Sequence, residues 1–576
     1  MNRWKRSAFL VLCAALILLS ISACTPAGND PSAASTGAAS TAAPATSAPA
    51  QTATTAPEPE GFRAPDHDNV NLDGSFPLLK ETVPLLLGIS QHPLVEDYET
   101  NRFTLFLEEM VNVDLKFDYY LAADAESKVR ILISSGTKLP DIITGFTFSD
   151  LDILSYGSQG AIIPLNDYID TYSTNIIAAY EETPLYKQAM TAPDGSMYAM
   201  PQIWEQTREE WGCLAWINQT WLDRVGKTVP TTTQEFYEAL KAFKIGDPNG
   251  NGRDDDIPFI GSSTTMGYDF IINAFTYYPA DRVKNIGVND GILYPAYTTD
   301  EWRDALIYLN MLCQEDLYSP ITFTQDNATY QAMLRNLDHS LVGVSVGSAN
   351  NMNTPETRLL EYVDLPPLTG PNGEKWSTFT PAVPISRYVI TKDCETPAAA
   401  FILADFMLAP ENAYFSRYGE PGVDWVDPEP GEEGYLSDMG FPATVKPILI
   451  WGTVQNSHWQ QGNPSYGKYD AGNGQVWDGN PANGPYYNHM AVYSRIGLVP
   501  EEIVYKFIYT SQEADEMKDL DSTINNYVKE STARFITGDL DISGSDWDSY
   551  LKELSNMALE RYMQINQAAY DRMQGE

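Results

Sequence analysis

Between residues 84 and 143 the apolar positions read strand, helix, strand, helix, strand, and this order constrains the fold more than any other feature of the chain. Residues 84–89 are a continuous apolar run, as in a parallel strand buried on both faces. Phe103, Leu107, Met110 and Val111 then recur at helical spacing. Val113, Leu115, Phe117 and Tyr119 alternate with Asp114, Lys116 and Asp118, the period of a strand. Val129, Leu132 and Ile133 form the apolar face of a second helix over residues 123–135, and residues 139–143 open the third strand. A βαβαβ order means a parallel sheet. Ligands of open α/β sheets sit beyond the carboxyl ends of the strands, which nominates the loops 88–91 and 145–148, with Gln91 and Phe146 as the contacts.

Residues 194–218 read as the crossing from this unit into another. A Pro193-Asp194-Gly195 turn leads to a short strand, and three tryptophans and three glutamates follow in a segment too polar for a buried strand and too aromatic for a free linker. Indole faces stack on the CH faces of sugars while carboxylates bind hydroxyls, so Trp204, Glu205 and Trp211 suit a carbohydrate site in an interdomain cleft. The competing reading makes them ordinary core and surface residues.

The chain begins with Arg3, Lys5 and Arg6, an apolar run over residues 8–19, and Ile21-Ser22-Ala23-Cys24, the pattern of an export signal. Its ending resembles a bacterial lipobox, in which Cys24 is acylated (palmitate being one such chain) and becomes the first mature residue. Residues 1–23 are therefore expected to be a lipoprotein signal peptide. Residues 24–66 are expected to be a lipid anchor and disordered tether, because a tract of Ala, Ser, Thr, Pro and Gly buries too little to offset its ordering entropy.

The remaining residues exceed one ordinary core and suit two domains. Five cysteines occur; Cys13 falls in the signal and Cys24 in the anchor, so Cys213, Cys313 and Cys394 are too few for a disulfide framework. A net charge of −41 opposes binding of nucleic acid or anionic lipid by the folded part.

Past the crossing, residues 214–217 read as a strand. Thr232 and Glu235 have capping-box spacing before a helix with Phe236, Leu240 and Phe243 on one face. Then comes Asp247-Pro248-Asn249-Gly250-Asn251-Gly252-Arg253-Asp254-Asp255-Asp256. Oxygen-bearing side chains at Asp247, Asn249, Asn251 and Asp255, a glycine in sixth place and the Arg253 carbonyl in seventh reproduce the front of a calcium loop. The twelfth place is Pro258, so the last carboxylate comes from Asp256 or from elsewhere; a turn without an ion is the competing reading. Calcium here pins a helix-to-strand connection and implies no catalysis.

The lipobox, the tether, Ser135-Gly136 with residues 139–143, Trp216-Ile217-Asn218 before Trp221-Leu222 and Val229-Pro230-Thr231-Thr232, and the Asp-Pro-Asn-Gly-Asn-Gly run together resemble the large lipoprotein extracellular solute-binding proteins of Gram-positive bacteria. The likeness extends to Phe535-Ile536-Thr537-Gly538 and the stretches 547–551 and 562–565. These proteins are components of carbohydrate ABC importers, and the alginate-oligosaccharide-binding members are similar in carrying a calcium loop. The resemblance implies Asp256 as the last calcium ligand. It also implies an α/β, two-lobe periplasmic-binding-protein-like fold with discontinuous domains, hinge crossings and extra C-terminal helices. The lobes are expected at 67–205 with 366–409, and at 206–365 with 410–576. The implied protein is a monomer, lipid-anchored on the outer face of the cytoplasmic membrane, working with membrane permease subunits.

Within that frame residues 302–317 and 330–337 read as helices, 340–346 as a strand, 363–368 as the return crossing, 382–390 as a strand, and Thr396-Pro397 as the start of a helix reaching Met407. Trp547, Leu551, Leu554, Ala558 and Ile565 share the face of a closing helix. Residues 419–425 and 450–493 are dense in aromatics, among them Trp477, Tyr486 and Tyr487, and the expected sugar contacts from this side are Trp425, Trp451 and Trp459. His458 and His489 read as hydrogen-bonding neighbours. Two alternatives remain. Gly343-Val344-Ser345-Val346-Gly347 matches the nucleophile-elbow pattern of a surface hydrolase, and a peptide or other polar solute could replace the sugar.

Overall fold

The computed structural model describes residues 62–280, 283–347, 358, 360–449, 451, 453–476 and 490–575. Cys24, the signal, Trp477, Tyr486, Tyr487 and His489 lie outside the described residues. The folded unit starts before the expected end of the tether: Phe62 meets Tyr168 edge-on at 4.9 Å, Ala64 is buried, and Asp66 accepts from the N–H groups of Ala398 and Ala399.

Along the chain come β1 (Val83–Gln91), β2 (Val113–Leu121), β3 (Ile142–Phe148) and β4 (Met200–Trp204). After a crossing come β5 (Ala215–Asn218), β6 (Ile257–Phe259), the hairpin β7 (Ile286–Asn289) and β8 (Ile292–Pro295), β9 (Val342–Val346) and β10 (Tyr362–Leu365). The chain then returns through β11 (Ile385–Ile390), the paired short strands β12 (Trp425–Val426) and β13 (Lys446–Pro447), and β14 (Ser465–Gly467). Two sheets organise the molecule: β14-β4-β11-β3-β1-β2, and β10-β5-β9-β6. β1 pairs in parallel with both β2 and β3, as the βαβαβ order requires, whereas β11 runs antiparallel between β3 and β4 because it returns from the other lobe. Each sheet has its own apolar core, the first holding Leu85, Leu87, Ile143 and Tyr388, the second Ile217, Phe243, Val344 and Leu306.

Several elements differ from expectation. Residues 88–91 and 145–148 are the last residues of β1 and part of β3, because the parallel pairing runs on to Gln91 and the pairing with β11 to Phe148. Residues 362–365 pair with β5 inside the second lobe, and the chain crosses later, where Trp211 bridges Phe379 and Gly212 donates to the Thr378 carbonyl. The helix Pro397–Met407 takes its cap from the Asp66 carboxylate, and the Thr396 side chain makes no capping bond. After residue 410 the chain does not stay in the second lobe: β14 adds to the first sheet, and Trp459 and Tyr466 lie in the first core. The closing helix is two, Asp546–Asn556 and Leu559–Gln574, broken where Ala558 takes φ 62°. These helices and Ser511–Thr537, whose start carries a full Thr510/Glu513 capping box, pack on the second core.

Candidate functional site

At the carboxyl end of β4 the first sheet meets the crossing. Trp204, partly exposed, lies over Gly467 of the neighbouring β14, where a Cβ would come within 2.0 Å of the indole, so only glycine allows this seat. The Arg417 guanidinium lies between two indoles, 4.9 Å from the ring centre of Trp204 and 4.7 Å from that of Trp451. Trp451 is 45% exposed, and its other neighbour is the His458 ring, stacked at 5.6 Å and 6°. The wall thus alternates indole, guanidinium, indole, imidazole, an arrangement held by ring quadrupole and stacking forces. Burial drops the His458 pKa to about 4, so this ring is neutral at pH 7.

Glutamine amides fix the polar edge. Gln202 donates to the Gln461 carbonyl at 2.8 Å, Arg417 donates to the Gln461 side-chain oxygen at 2.9 Å, and Arg387 donates to the Gln202 side-chain oxygen at 2.5 Å. One step along the crossing, Gln206 donates to the Tyr435 hydroxyl at 3.3 Å, and Tyr435 packs with Trp216 of the second sheet. The wall therefore sits where the lobes meet. It offers stacking faces and hydrogen-bonding groups.

Of the tryptophans expected to meet sugar, Trp204 and Trp451 come together here. Trp425, partly buried, tilts against Tyr414 at 5.4 Å and donates to the Gly419 carbonyl. Trp459 is a correction: it is fully buried among Phe103, Tyr98 and Phe117 and donates to Thr104. Trp211 is 8% exposed and packs on Phe379 at the crossing. Glu205 is likewise buried, accepting from the Tyr186 hydroxyl at 2.5 Å and the Tyr469 N–H at 3.2 Å, which leaves it a structural pin. Gln91 is exposed at the tip of β1, and Phe146 tilts against Phe148 at 4.4 Å and 40° beside the first core. Sequence reasoning missed Arg387, Arg417, Gln202 and Gln461; the only local signal was an arginine beside aromatic residues at 414–418.

The calcium-loop residues follow the helix Thr233–Gly246, which Asp247 ends at φ 47°. The Asp247 carboxylate accepts from the N–H groups of Asn251 and Gly252, and the Asn249 and Asn251 amides donate to Asp255 at 2.9 Å each. Asp256 is buried, one carboxylate oxygen has no hydrogen-bond partner, and burial first, then Asp247 and Asp255, raises its pKa to about 6. An orphaned buried carboxylate oxygen beside two further carboxylates is what a bound cation would relieve. Among the described residues no three His, Cys, Asp or Glu side chains converge on one point; the donors expected from the sequence also include asparagine oxygens and the Arg253 carbonyl. Ser345, by contrast, lies fully buried inside β9, opposite Trp216, and not on the strand-to-helix turn a nucleophile elbow needs.

Two α/β lobes joined by repeated chain crossings, with a stacking wall at the junction, define a two-lobe solute-binding fold. Residues 93–414 match the model of the bacterial extracellular solute-binding proteins, and the chain belongs to that family. It is 28% identical over 535 residues to the fructooligosaccharide ABC transporter substrate-binding protein FusA of Streptococcus pneumoniae serotype 4, covering 89% of this chain and 94% of that protein. The structure of an EF-hand mutant of S. pneumoniae FusA with fructo-nystose superposes with a TM-score of 0.70 at 26% identity, covering 85% of this chain and 99% of that one. An HMO-binding, ABC-transporter-associated solute-binding protein of Bifidobacterium longum infantis has the same fold, with a TM-score of 0.71 at 18% identity over 85% and 99% of the two chains.

Proposed function

We propose that this protein captures an oligosaccharide at the junction of its lobes and delivers it to an ABC import permease. The observation that carries the reading is the exposed Trp451 indole beside Trp204 on a hydrogen-bonding edge, placed where two lobes can close on a sugar. The FusA likeness supports a carbohydrate as the solute. Gln91, Phe146 and Trp425 are outer contacts in this reading. Capture requires no turnover, so the protein acts as a binding subunit and not as an enzyme.

Calcium, in the same proposal, is held by Asp247, Asn249, Asn251, the Arg253 carbonyl, Asp255 and Asp256. It offsets most of the charge of the three carboxylates and ties the end of the helix Thr233–Gly246 to β6. Among the described residues no helix is long and apolar enough to cross a membrane, and acylation of Cys24 would tether a monomer at the outer face of the cytoplasmic membrane.

A thermal-shift screen of the protein against oligosaccharides and peptides, with product analysis, tests this. A sugar-specific rise in Tm without product is the expected outcome. A rise with peptides alone, or release of shorter sugars, would overturn it.

A further inference from the structure

The chain has 77 acidic and 36 basic residues, yet Arg387 and Arg417 have no carboxylate within ion-pairing distance among the described residues. Both side chains are partly buried at the junction wall, and the Nε of each is buried without an acceptor. Among the described residues their only side-chain acceptors are the neutral amides of Gln202 and Gln461, which tie the two guanidinium groups into one cluster. Nearby acids are engaged elsewhere. Glu205 is taken by Tyr186 and Tyr469, Glu210 by the Tyr469 hydroxyl, and Glu420 and Asp424 by Arg102. Arg208 adds a third cation beside Arg417; its own partner is Glu209, outside on the rim.

Burial without a counter-ion is costly for a cation, and in so acidic a chain a carboxylate partner would be the ordinary solution. Burial pulls the Arg387 pKa down to about 10, which still leaves it charged at pH 7. The Arg417 guanidinium lies within 5 Å of both indole centres, donates to Gln461 and keeps a buried Nε without an acceptor, so it retains donors with which a guanidinium receives a planar or tetrahedral anion.

Resting on the carbohydrate reading above, we infer that the solute is an acidic oligosaccharide, whose carboxylate or sulfate is received by Arg387 and Arg417 while a neighbouring sugar ring stacks on Trp451. The arginines set the charge of the ligand and the indole sets its class.

The test is calorimetric titration of the full chain with three probes of similar length: trigalacturonate, a sulfated trisaccharide and the neutral trisaccharide kestose. One acidic probe should bind at least about tenfold more tightly than kestose, since charge-assisted hydrogen bonds are about twice as strong as neutral ones. Its affinity should fall with added salt. Arg417→Gln should bring the ratio of the kestose Kd to the acidic-probe Kd, both measured on that variant, down to about one. Arg417→Lys, which keeps the charge and loses the planar fork, should recover only part of it and controls for misfolding. Which acid binds tells carboxylate from sulfate. Tight kestose binding without an acidic preference would sink this inference and leave sugar capture standing; failure of all three probes would remove both.

Discussion

The Trp459 indole N–H donates to the Thr104 hydroxyl at 2.8 Å across 355 residues of sequence. This bond fixes the segment that carries Gln461 against the helix Arg102–Leu107 of the first lobe. Trp459 and Trp451 should therefore fail differently. Trp459→Ala should cost about 3–5 kcal/mol of stability through cavity formation, seen as a lower Tm. Trp451→Ala should leave the unfolding free energy within about 0.5 kcal/mol of wild type, as for an exposed site, while weakening sugar binding. Equal melting losses in the two variants would contradict this assignment.

Arg495 and Asp364 form a buried ion pair at 2.8 Å, and Arg495 also donates to the carbonyls of Ala491 and Leu365. Asp364→Leu strands a buried cation and should cost about 3–5 kcal/mol, whereas the double variant with Arg495→Met should recover most of that loss. Denaturant midpoints of wild type, both singles and the double form the cycle. An Asp364→Leu protein as stable as wild type would show that water reaches Arg495.

For the metal loop the expected outcome is a lower Tm in chelator, restored by calcium and not by magnesium, which favours octahedral sites that keep water. Calcium at about a hundred times its Kd should contribute about 2.7 kcal/mol. In Asp256→Asn the calcium-dependent shift should shrink or vanish. A melt insensitive to chelator would refute the site.

The pH dependence follows from His458. Its folded pKa, about 4, is below the unfolded value of about 6.5, chiefly through burial, with Arg417, His92 and Arg102 pushing the same way and Asp424 against. The unfolded chain therefore binds a proton first as pH falls. The His458 contribution is complete above about pH 6.5 and declines between there and about pH 4, by up to about 3 kcal/mol. Stability measured from pH 7 to pH 4 should show this slope, and His458→Gln should flatten it. An unchanged slope in the variant would place the titration on another group.

Local rules made much of the fold legible. β1, β2 and β3 were readable because a strand or helix buried on one side imposes its own period on adjacent residues. The Thr232 cap, whose hydroxyl accepts from the Glu235 N–H, and the loop after Gly246 were readable because both motifs complete themselves within a few residues. The same rules could not separate Trp451 from Trp459. Both lie in one aromatic, glycine-rich stretch, and only packing against Phe103 and Phe117 buries the second.

By itself, the sequence determined a parallel α/β lobe, a second lobe beyond a crossing, and a metal-loop motif, since each is written in spacing between near neighbours. Tertiary structure alone decided the return of β14 to the first sheet, the break at Ala558, and the seating of Arg417 between Trp204 and Trp451. The physical reason is range: these features arise from contacts between segments far apart in the chain, and no local period or propensity encodes which distant partner a side chain will meet.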